Sequence, residues 1–151
     1  AYEHLTAILA GWILSHSDRL AGTEERFERL WLWHASEEVE HRAVAFDLFE
    51  RIDGRRAVRN RWMVRATLLF LFDALLQTLS NLRRDGSLWR RSTWQSGWRL
   101  LCGPTGLLRG VYPLWRDYFR AGFHPLQHAH GGSAEWLEAN RAAYRTVGQP
   151  Q

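Results

Sequence analysis

The sequence predicts an all-α fold, a helical bundle that forms a single domain over residues 1–151. Three observations support this prediction. Apolar side chains recur at helical spacing through the first hundred residues. The four prolines all come after residue 100, so none interrupts a helix before that point. No segment alternates strictly between apolar and polar residues, as a half-buried strand would.

Short turns that contain glycine, aspartate or serine separate the predicted helices. The second helix would run for about 30 residues, from a cap at Thr23 to a stop at Asp53 and Gly54. We predict helices over residues 2–15, 24–52, 56–82, 88–101, 114–120 and 134–146, with a Gly- and Pro-rich connector at 102–110. Residues 1–54 would form the helix pair that carries the candidate site. Residues 55–151 would add packing helices and a loop rich in histidine and glycine.

The composition narrows the classes of protein to which the chain can belong. Apolar residues make up 46% of it, which is typical of a globular domain rather than a disordered one. The net charge is +4, and Arg and Trp are interleaved through residues 89–99. No recognised nucleic-acid motif is present, so we favour solvated arginines over nucleic-acid binding. The single cysteine, Cys102, excludes an internal disulfide and a Cys-rich zinc site, and we expect a cytoplasmic protein.

The most apolar segment, residues 63–82, contains the polar side chains Arg65, Asp73, Gln77 and Asn81. It therefore falls short of the roughly 18 uninterrupted apolar residues that mark a membrane span. We predict an amphipathic helix that is buried or faces a partner, with peripheral contact to a membrane surface as an alternative. Asp73 would then be structural, paired with an arginine of another helix.

Polar residues in the second helix interrupt an apolar stripe and could bind a metal ion. At about 100° per residue, the following side chains fall on nearly one line: Phe27, Leu30, His34, Glu38, His41, Ala45 and Leu48. An ordinary core-facing helix would have Leu or Ala at the central positions, and a carboxylate buried there needs a compensating charge. The pattern His-x-x-x-Glu-x-x-His therefore indicates ligands for a cation. The alternative is a solvated helix face that carries the pattern by chance.

Glu3 in the first helix is a further candidate ligand. It shares a face with Ala7, Ala10 and Leu14, so it also interrupts an apolar row. A short connection makes the first two helices antiparallel neighbours. Counting from the turn between them places Glu3 within about a turn of Glu38. The alternative is a frayed residue at the start of the chain.

Residues 30–47, LWLWHASEEVEHRAVAFD, resemble the signature of a bacterial family of predicted metal-dependent hydrolases. The opening YEHLTA and the later GFHP also resemble that family, so the likeness covers most of the chain. Such proteins resemble ferritin-like bundles and, more distantly, the di-iron N-oxygenases that act on arylamines. The resemblance implies that Glu3, His34, Glu38 and His41 form the second half of a di-iron ligand set, with Glu38 bridging the two ions.

The first half of such a ligand set is missing from this sequence, because no second Glu-x-x-His occurs in the 151 residues. Two interpretations remain. The sequence could be the C-terminal part of a longer protein that supplies the N-terminal half, and the absence of an initiator methionine favours this interpretation. Alternatively, a homodimer could form about a twofold axis, with each copy supplying Glu and Glu-x-x-His. In both cases the isolated chain should expose apolar faces.

Three kinds of function remain open. With zinc or manganese, a metal-bound water would attack an ester, amide or phosphate of a small-molecule substrate. With two iron ions, which we favour as the cofactor, dioxygen would oxidise a small organic substrate. Imidazole and carboxylate ligands suit all of these metals, so ligand type does not decide between them. The third kind is a metal-free fragment, or a helical module that binds a partner through its Trp- and Leu-rich faces.

The remaining histidines are less informative. His124, His128 and His130 lie close together in the sequence, but proline and glycine around them prevent a common helix face. We interpret them as part of a polar or solvated loop rather than as a metal cluster. We expect His4 and His16 to be surface or capping residues.

Overall fold

The computed structural model describes residues 1–128 and 133–140, without the side chains of residues 133–135. Over these residues the fold is all-α and contains no strand, so the predicted fold class is confirmed. His130 and the predicted helix beyond residue 140 lie outside the described residues.

The described part of the chain contains seven α-helices, and three of them pack on the first. Their bounds are α1 Tyr2–Ser15, α2 Glu25–His41, α3 Val44–Ile52, α4 Arg56–Arg84, α5 Arg91–Cys102, α6 Leu107–Asp117 and α7 Ser133–Asn140. Short 3₁₀ turns lie at Ser17–Leu20 and Pro125–Gln127. Helix α1 contacts α2, α4 and α6, while α5 packs on α6 and α7 packs on α2. Because α1 contacts three other helices, it forms the centre of the described bundle.

The core consists of two apolar clusters on different sides of α1. The larger cluster joins α1, α3, α4, α6 and the loop after α6, through Leu5, Ile8, Phe46, Met63, Val111, Tyr118 and Phe123. The smaller cluster lies between α1 and α2 and consists of Ala10, Ala35 and Val39. Small side chains at this second contact allow the two helices to approach closely. The predicted pairing of the first two helices therefore holds.

The long second helix that we predicted is wrong, because the chain breaks it at Arg42 and Ala43 into α2 and α3. Neither residue is a helix breaker, and the sequence therefore gives no local signal for the turn. Just beyond the break, Phe46 of α3 belongs to the larger core cluster and packs against Tyr118 and Phe123. Burial of an aromatic side chain is a tertiary gain that compensates for the lost helical hydrogen bonds.

Helix α6 begins seven residues earlier than predicted, at Leu107, and continues through Pro113. We read Gly110 as part of a connector, but it lies within this helix. An added Cβ at Gly110 would come within 2.6 Å of Cδ1 of Trp12 in α1. The glycine is therefore required for close packing between α1 and α6, rather than for a turn.

Helix α4 ends where we predicted, beside Asp85 and Gly86, whose φ of 68° suits a helix stop. Only Arg59 and Met63 of α4 are buried, so most of its apolar surface is accessible to solvent. By length and composition alone α4 could cross a membrane, and only 6% of its most apolar window is buried. Of the two alternatives that the sequence left for α4, burial in the core is therefore excluded for the described residues. The alternative that α4 faces a partner stays a prediction.

Candidate metal centre

The predicted ligand stripe lies on the outer surface of α2 and α3. Its apolar flanks are exposed, with 49% of Phe27 and 55% of Leu30 accessible to solvent. His34 and His41 are also exposed, while Glu38 is partly buried. These flanks therefore do not lie in the core of the chain, and their exposure agrees with the expectation that the isolated chain exposes apolar faces. Helix α2 instead packs on α1 through a face about 150° away, at 100° per residue. That face contains Leu32, Ala35, Ser36 and Val39.

Glu38 lies at the edge of the stripe nearest to α1, and a threonine of α1 holds its carboxylate. The Thr6 hydroxyl donates a hydrogen bond of 2.6 Å to Glu38 Oε2. The other oxygen, Oε1, lies 3.7 Å from His34 Nε2, one turn earlier in α2. The structure therefore brings together a carboxylate and an imidazole that the sequence predicted as ligands. Thr6 is a contact that sequence reasoning missed.

Glu3 caps the N-terminus of α3. The N-cap residue of α3 is Ala43, whose side chain cannot accept a hydrogen bond. Glu3 Oε2 supplies the missing acceptor by accepting a bond of 2.9 Å from the Ala45 amide. A carboxylate at this position also faces the positive end of the α3 dipole. Glu3 lies one turn before Thr6, the residue that contacts Glu38, so Glu3 and Glu38 lie at similar levels, as predicted. The bond from the Ala45 amide gives Glu3 a capping role.

His41 ends α2 and remains exposed on the outer surface. The next residue, Arg42, donates to the carbonyl of Val39 and so closes the last turn of the helix. Within residues 1–128 and 133–140, no three His, Cys, Asp or Glu side chains gather closely enough to hold a metal ion. Zinc requires four donors and larger divalent cations require six or more, some of them from water. Of the four predicted ligands, the structure therefore brings only Glu38 and His34 close to each other.

His4 is buried, which corrects the expectation that it lies at the surface. Only 2% of the residue is exposed, and its ring packs against Tyr118 at 5.0 Å and Phe123 at 5.1 Å between centroids. Its Nε2 lies 3.4 Å from the carbonyl of Leu114. A sequence signal was available, because His4 stands four residues before the core residue Ile8 on the same helix face.

The histidines of the C-terminal loop bind two different carboxylates. His124 Nε2 lies 2.8 Å from Asp47 Oδ1 in α3, and His128 Nε2 lies 3.0 Å from Asp117 Oδ2 in α6. Since the two partners are on separate helices, these histidines fix the loop onto the bundle rather than converge on one point. For these two histidines this agrees with the interpretation of a polar loop, while His130 lies outside the described residues. His16 binds locally, with Nδ1 2.9 Å from the Trp12 carbonyl.

A cavity of about 490 Å³ lies between the start of α1, α3 and α4. Ala45, whose amide binds Glu3, forms part of its wall, so the cavity adjoins the Glu3 side of the candidate site. Arg59 of α4 also lines it and is buried, which the sequence reading missed. Asp73 is exposed at the same cavity, and no described arginine forms an ion pair with it, contrary to expectation.

Comparison with known proteins identifies the family. A family model described as "predicted metal-dependent hydrolase" matches residues 1–129. No significant match was found among the curated proteins or the solved structures that were compared. The match covers the helices that carry Glu3, His34, Glu38 and His41 and extends through the loop histidine His128. Because it spans most of the chain, this protein belongs to the family of predicted metal-dependent hydrolases.

Proposed function

We propose that this protein is a metal-dependent hydrolase of a small-molecule substrate and that Glu38 and His34 bind its divalent metal, together with His41 and Glu3. The observation that carries this proposal is the pair of the partly buried Glu38 and the exposed His34, in which a hydrogen bond from Thr6 fixes the carboxylate. Family membership supports the dependence on a metal and the hydrolytic class.

The Thr6 hydrogen bond supports a ligand role for Glu38 rather than a solvated one. It occupies Oε2 and leaves Oε1 on the side of His34. Outer hydrogen bonds of this kind orient the carboxylate ligands of metal sites. A carboxylate beside an imidazole suits zinc, manganese and iron. The chemistry that such a cation supplies to a hydrolase is a bound water with a lowered pKa.

The remaining ligands would come from a second helix pair that covers the exposed stripe. Phe27 and Leu30 lie on one side of the ligand positions and Leu48 on the other, and all three are exposed. A second pair of helices would bury these apolar flanks and would exclude water from the polar centre. Such a pair could come from a second copy related by twofold symmetry or from further polypeptide. Glu3 would keep its contact with Ala45 through Oε2 and would have Oε1 available for the metal.

Metal content and molecular mass test this proposal directly. We would measure both for the purified protein and for His41→Ala, with Glu40→Ala as the matched control. Glu40 is exposed on the same helix but lies about 120° from the stripe at 100° per residue. We expect metal bound in near-stoichiometric amount in the wild type and in Glu40→Ala, and its loss in His41→Ala. A folded wild type that binds no added metal would refute a metal site formed by this chain alone or by two copies of it.

The identity of the metal separates hydrolysis from oxidation. Zinc or manganese together with hydrolysis of ester, amide or phosphate substrates would support the proposal. Two iron ions for each pair of chains would instead favour the di-iron oxygenase interpretation. This alternative is worth testing because Glu-x-x-His on a helix is the arrangement that di-iron bundles use.

A second variant tests the role of Thr6. Thr6→Val keeps the shape of the side chain but removes the hydroxyl that binds Glu38. We expect metal affinity to fall by about 10- to 100-fold, as is typical when such an outer hydrogen bond is lost. Competition with a chelator measures this change, and Thr78→Val on the exposed surface of α4 is the control. Equal affinities for the two variants would show that Thr6 does not orient a metal ligand.

A further inference from the structure

Helix α4 directs its apolar face away from the bundle. Met63 is fully buried in the larger core cluster and marks the inner side of this helix. At about 100° per residue, the six residues between Arg65 and Arg83 that lie within about 60° of the opposite, outward direction are all leucine or phenylalanine. These six residues form the outer face of α4: Leu68, Leu69, Phe72, Leu75, Leu76 and Leu79. The first five are more than half exposed, and a contiguous exposed apolar face of this kind marks an interaction surface.

Arginines border the outer face at both of its ends. Arg61 and Arg65 precede it and Arg83 follows it, and all three lie within about 20° of the outward direction. All three are exposed, and the guanidinium of Arg65 lies 5.3 Å from the ring of Trp62. Arg65 and Arg83 are about 27 Å apart along the helix, at 1.5 Å per residue. A partner on this face therefore meets an apolar centre with positive charge on both sides.

The charges of the whole chain are divided in the same sense. Residues 55–101, which contain α4 and α5, have ten arginines and two acidic residues. Residues 1–54, which contain the candidate metal centre, have five arginines and eleven acidic residues. Such a division attracts one side of a protein to a negatively charged surface and repels the other. The partner that complements α4 is therefore anionic as well as apolar.

Exposed tryptophans accompany the arginines of this part of the chain. Trp89 is 90% exposed, and Trp62, Trp94 and Trp98 are each more than half exposed. Indole rings are enriched where the hydrocarbon of a bilayer meets its polar headgroups, because one side of the ring is apolar and the other can form a hydrogen bond. Leucine and tryptophan together with arginine are typical of helices that lie on anionic membranes.

The contacts of α4 favour a position on the bilayer surface over one that crosses the bilayer. The first half of α4 packs into the bundle, where Nε1 of Trp115 donates a hydrogen bond of 2.8 Å to the Thr67 hydroxyl. A crossing helix would carry these contacts into the hydrocarbon together with the carboxylate of Asp73, which is costly. In a helix parallel to the surface, Asp73 lies about 100° from the outward direction and stays in water.

The outer face of α4 is separate from the stripe that carries the candidate ligands. On α1, Ala10 packs against Ala35 of α2, whereas Ile8 belongs to the cluster that contains Met63 of α4. Ile8 and Ala10 project about 160° apart, so α2 and α4 lie on opposite sides of α1. A second helix pair over the ligand stripe would therefore leave the outer face of α4 exposed.

We propose that the outer face of α4 binds the surface of an anionic phospholipid bilayer. The helix lies parallel to the membrane, with its leucine side chains among the acyl chains and the arginines at its two ends on the phosphate headgroups. The acidic helices of the candidate metal centre then lie on the side of α1 that faces water. The inference goes beyond the proposed function and requires no metal.

Sedimentation of the purified chain with lipid vesicles tests the proposal. One set of vesicles would contain phosphatidylcholine with about 30% phosphatidylglycerol, and the other phosphatidylcholine alone. We expect binding to the anionic vesicles to be at least about tenfold tighter at low salt and to weaken as the salt concentration rises. Equal binding to both vesicles would overturn the proposal. Absence of binding to the anionic vesicles would also overturn it, and a stable dimer in that case would indicate that a second copy covers α4.

A matched pair of leucine variants locates the apolar contact. Leu76→Ser changes the outer face of α4, whereas Leu126→Ser changes a similarly exposed leucine in the loop after α6. Both side chains are exposed, so both variants should remain folded. We expect affinity for the anionic vesicles to fall about fivefold or more for Leu76→Ser and to stay unchanged for Leu126→Ser. Equal affinities for the two variants would refute the outer face of α4 as the binding surface.

A matched pair of double variants tests the arginines. Arg65→Gln with Arg83→Gln removes the charges beside the outer face, and Arg26→Gln with Arg51→Gln removes two exposed charges from α2 and α3. The change in net charge is the same for both. We expect affinity for the anionic vesicles to fall about tenfold or more for the first double variant only, since each arginine near the surface contributes about fivefold.

Equal losses for the two double variants would show that net charge alone drives binding, and would overturn the placement of these arginines on the headgroups. His41→Ala should bind the anionic vesicles as tightly as the wild type does. A failure of the metal proposal is therefore distinguishable from a failure of this one.

Discussion

The capping of α3 by Glu3 gives a quantitative prediction about stability. Replacing Glu3 by alanine removes the 2.9 Å bond to the Ala45 amide, and Ala43 cannot replace the lost acceptor. Loss of a hydrogen bond of this kind costs about 1 kcal/mol. Loss of the negative charge at the start of α3 costs about another 0.5 kcal/mol. We therefore expect the free energy of unfolding of Glu3→Ala to fall by about 1.5 kcal/mol.

Glu3→Gln separates the two contributions, because an amide oxygen can still accept from Ala45 but carries no charge. We expect Glu3→Gln to lose only about 0.5 kcal/mol. Urea unfolding followed by circular dichroism measures these differences. The corresponding decrease in melting temperature for Glu3→Ala is about 3–6 °C in a chain of this size.

Glu40→Ala is the control for this experiment, since Glu40 is exposed on α2 and takes no part in capping α3. If Glu3→Ala and Glu40→Ala change the free energy of unfolding equally, Glu3 does not cap α3. If Glu3→Ala is instead more stable than the wild type, Glu3 is strained at this position, as carboxylates held for a metal often are. Either result would refute the capping argument.

Two further predictions concern packing and pH. Gly110→Ala should destabilise the fold by about 1 kcal/mol, because its Cβ would lie 2.6 Å from the Trp12 ring and overpacking outweighs the gain in helix propensity. Gly97→Ala should instead stabilise it by about 0.5–1 kcal/mol, because nothing lies within 4 Å of the added Cβ. For Tyr118, whose pKa is raised from 10.0 to about 12, stability should decline as the pH rises through this interval, because the unfolded chain releases the proton first.

Chemical denaturation tests all of these predictions. The two glycine variants should shift the midpoint in opposite directions, and a raised midpoint for Gly110→Ala would contradict the packing between α1 and α6. For the pH prediction, Tyr118→Phe is the control because it cannot ionise. Between pH 10 and 12 its stability should decline less steeply than that of the wild type. Parallel curves for the two proteins would show that Tyr118 does not titrate with an elevated pKa.

Much of the helical architecture could be predicted from local signals. The ends of α1 and α4 follow from the turn residues after Ser15 and at Asp85 and Gly86. The break after His41 could not be predicted, because Arg42 and Ala43 are good helix formers. It depends on the burial of Phe46 and on Glu3, which contacts Ala45 from 42 residues away in the sequence.

By itself, the sequence determined the helical class, the pairing of the first two helices and the spacing of His34, Glu38 and His41 along α2. Helical periodicity establishes which side chains occupy one face of a helix. It does not establish which face another helix covers, because that depends on contacts between distant segments. Only the tertiary structure decided that the stripe of His34, Glu38 and His41 faces outward, and that Arg59 is buried beneath an apolar groove.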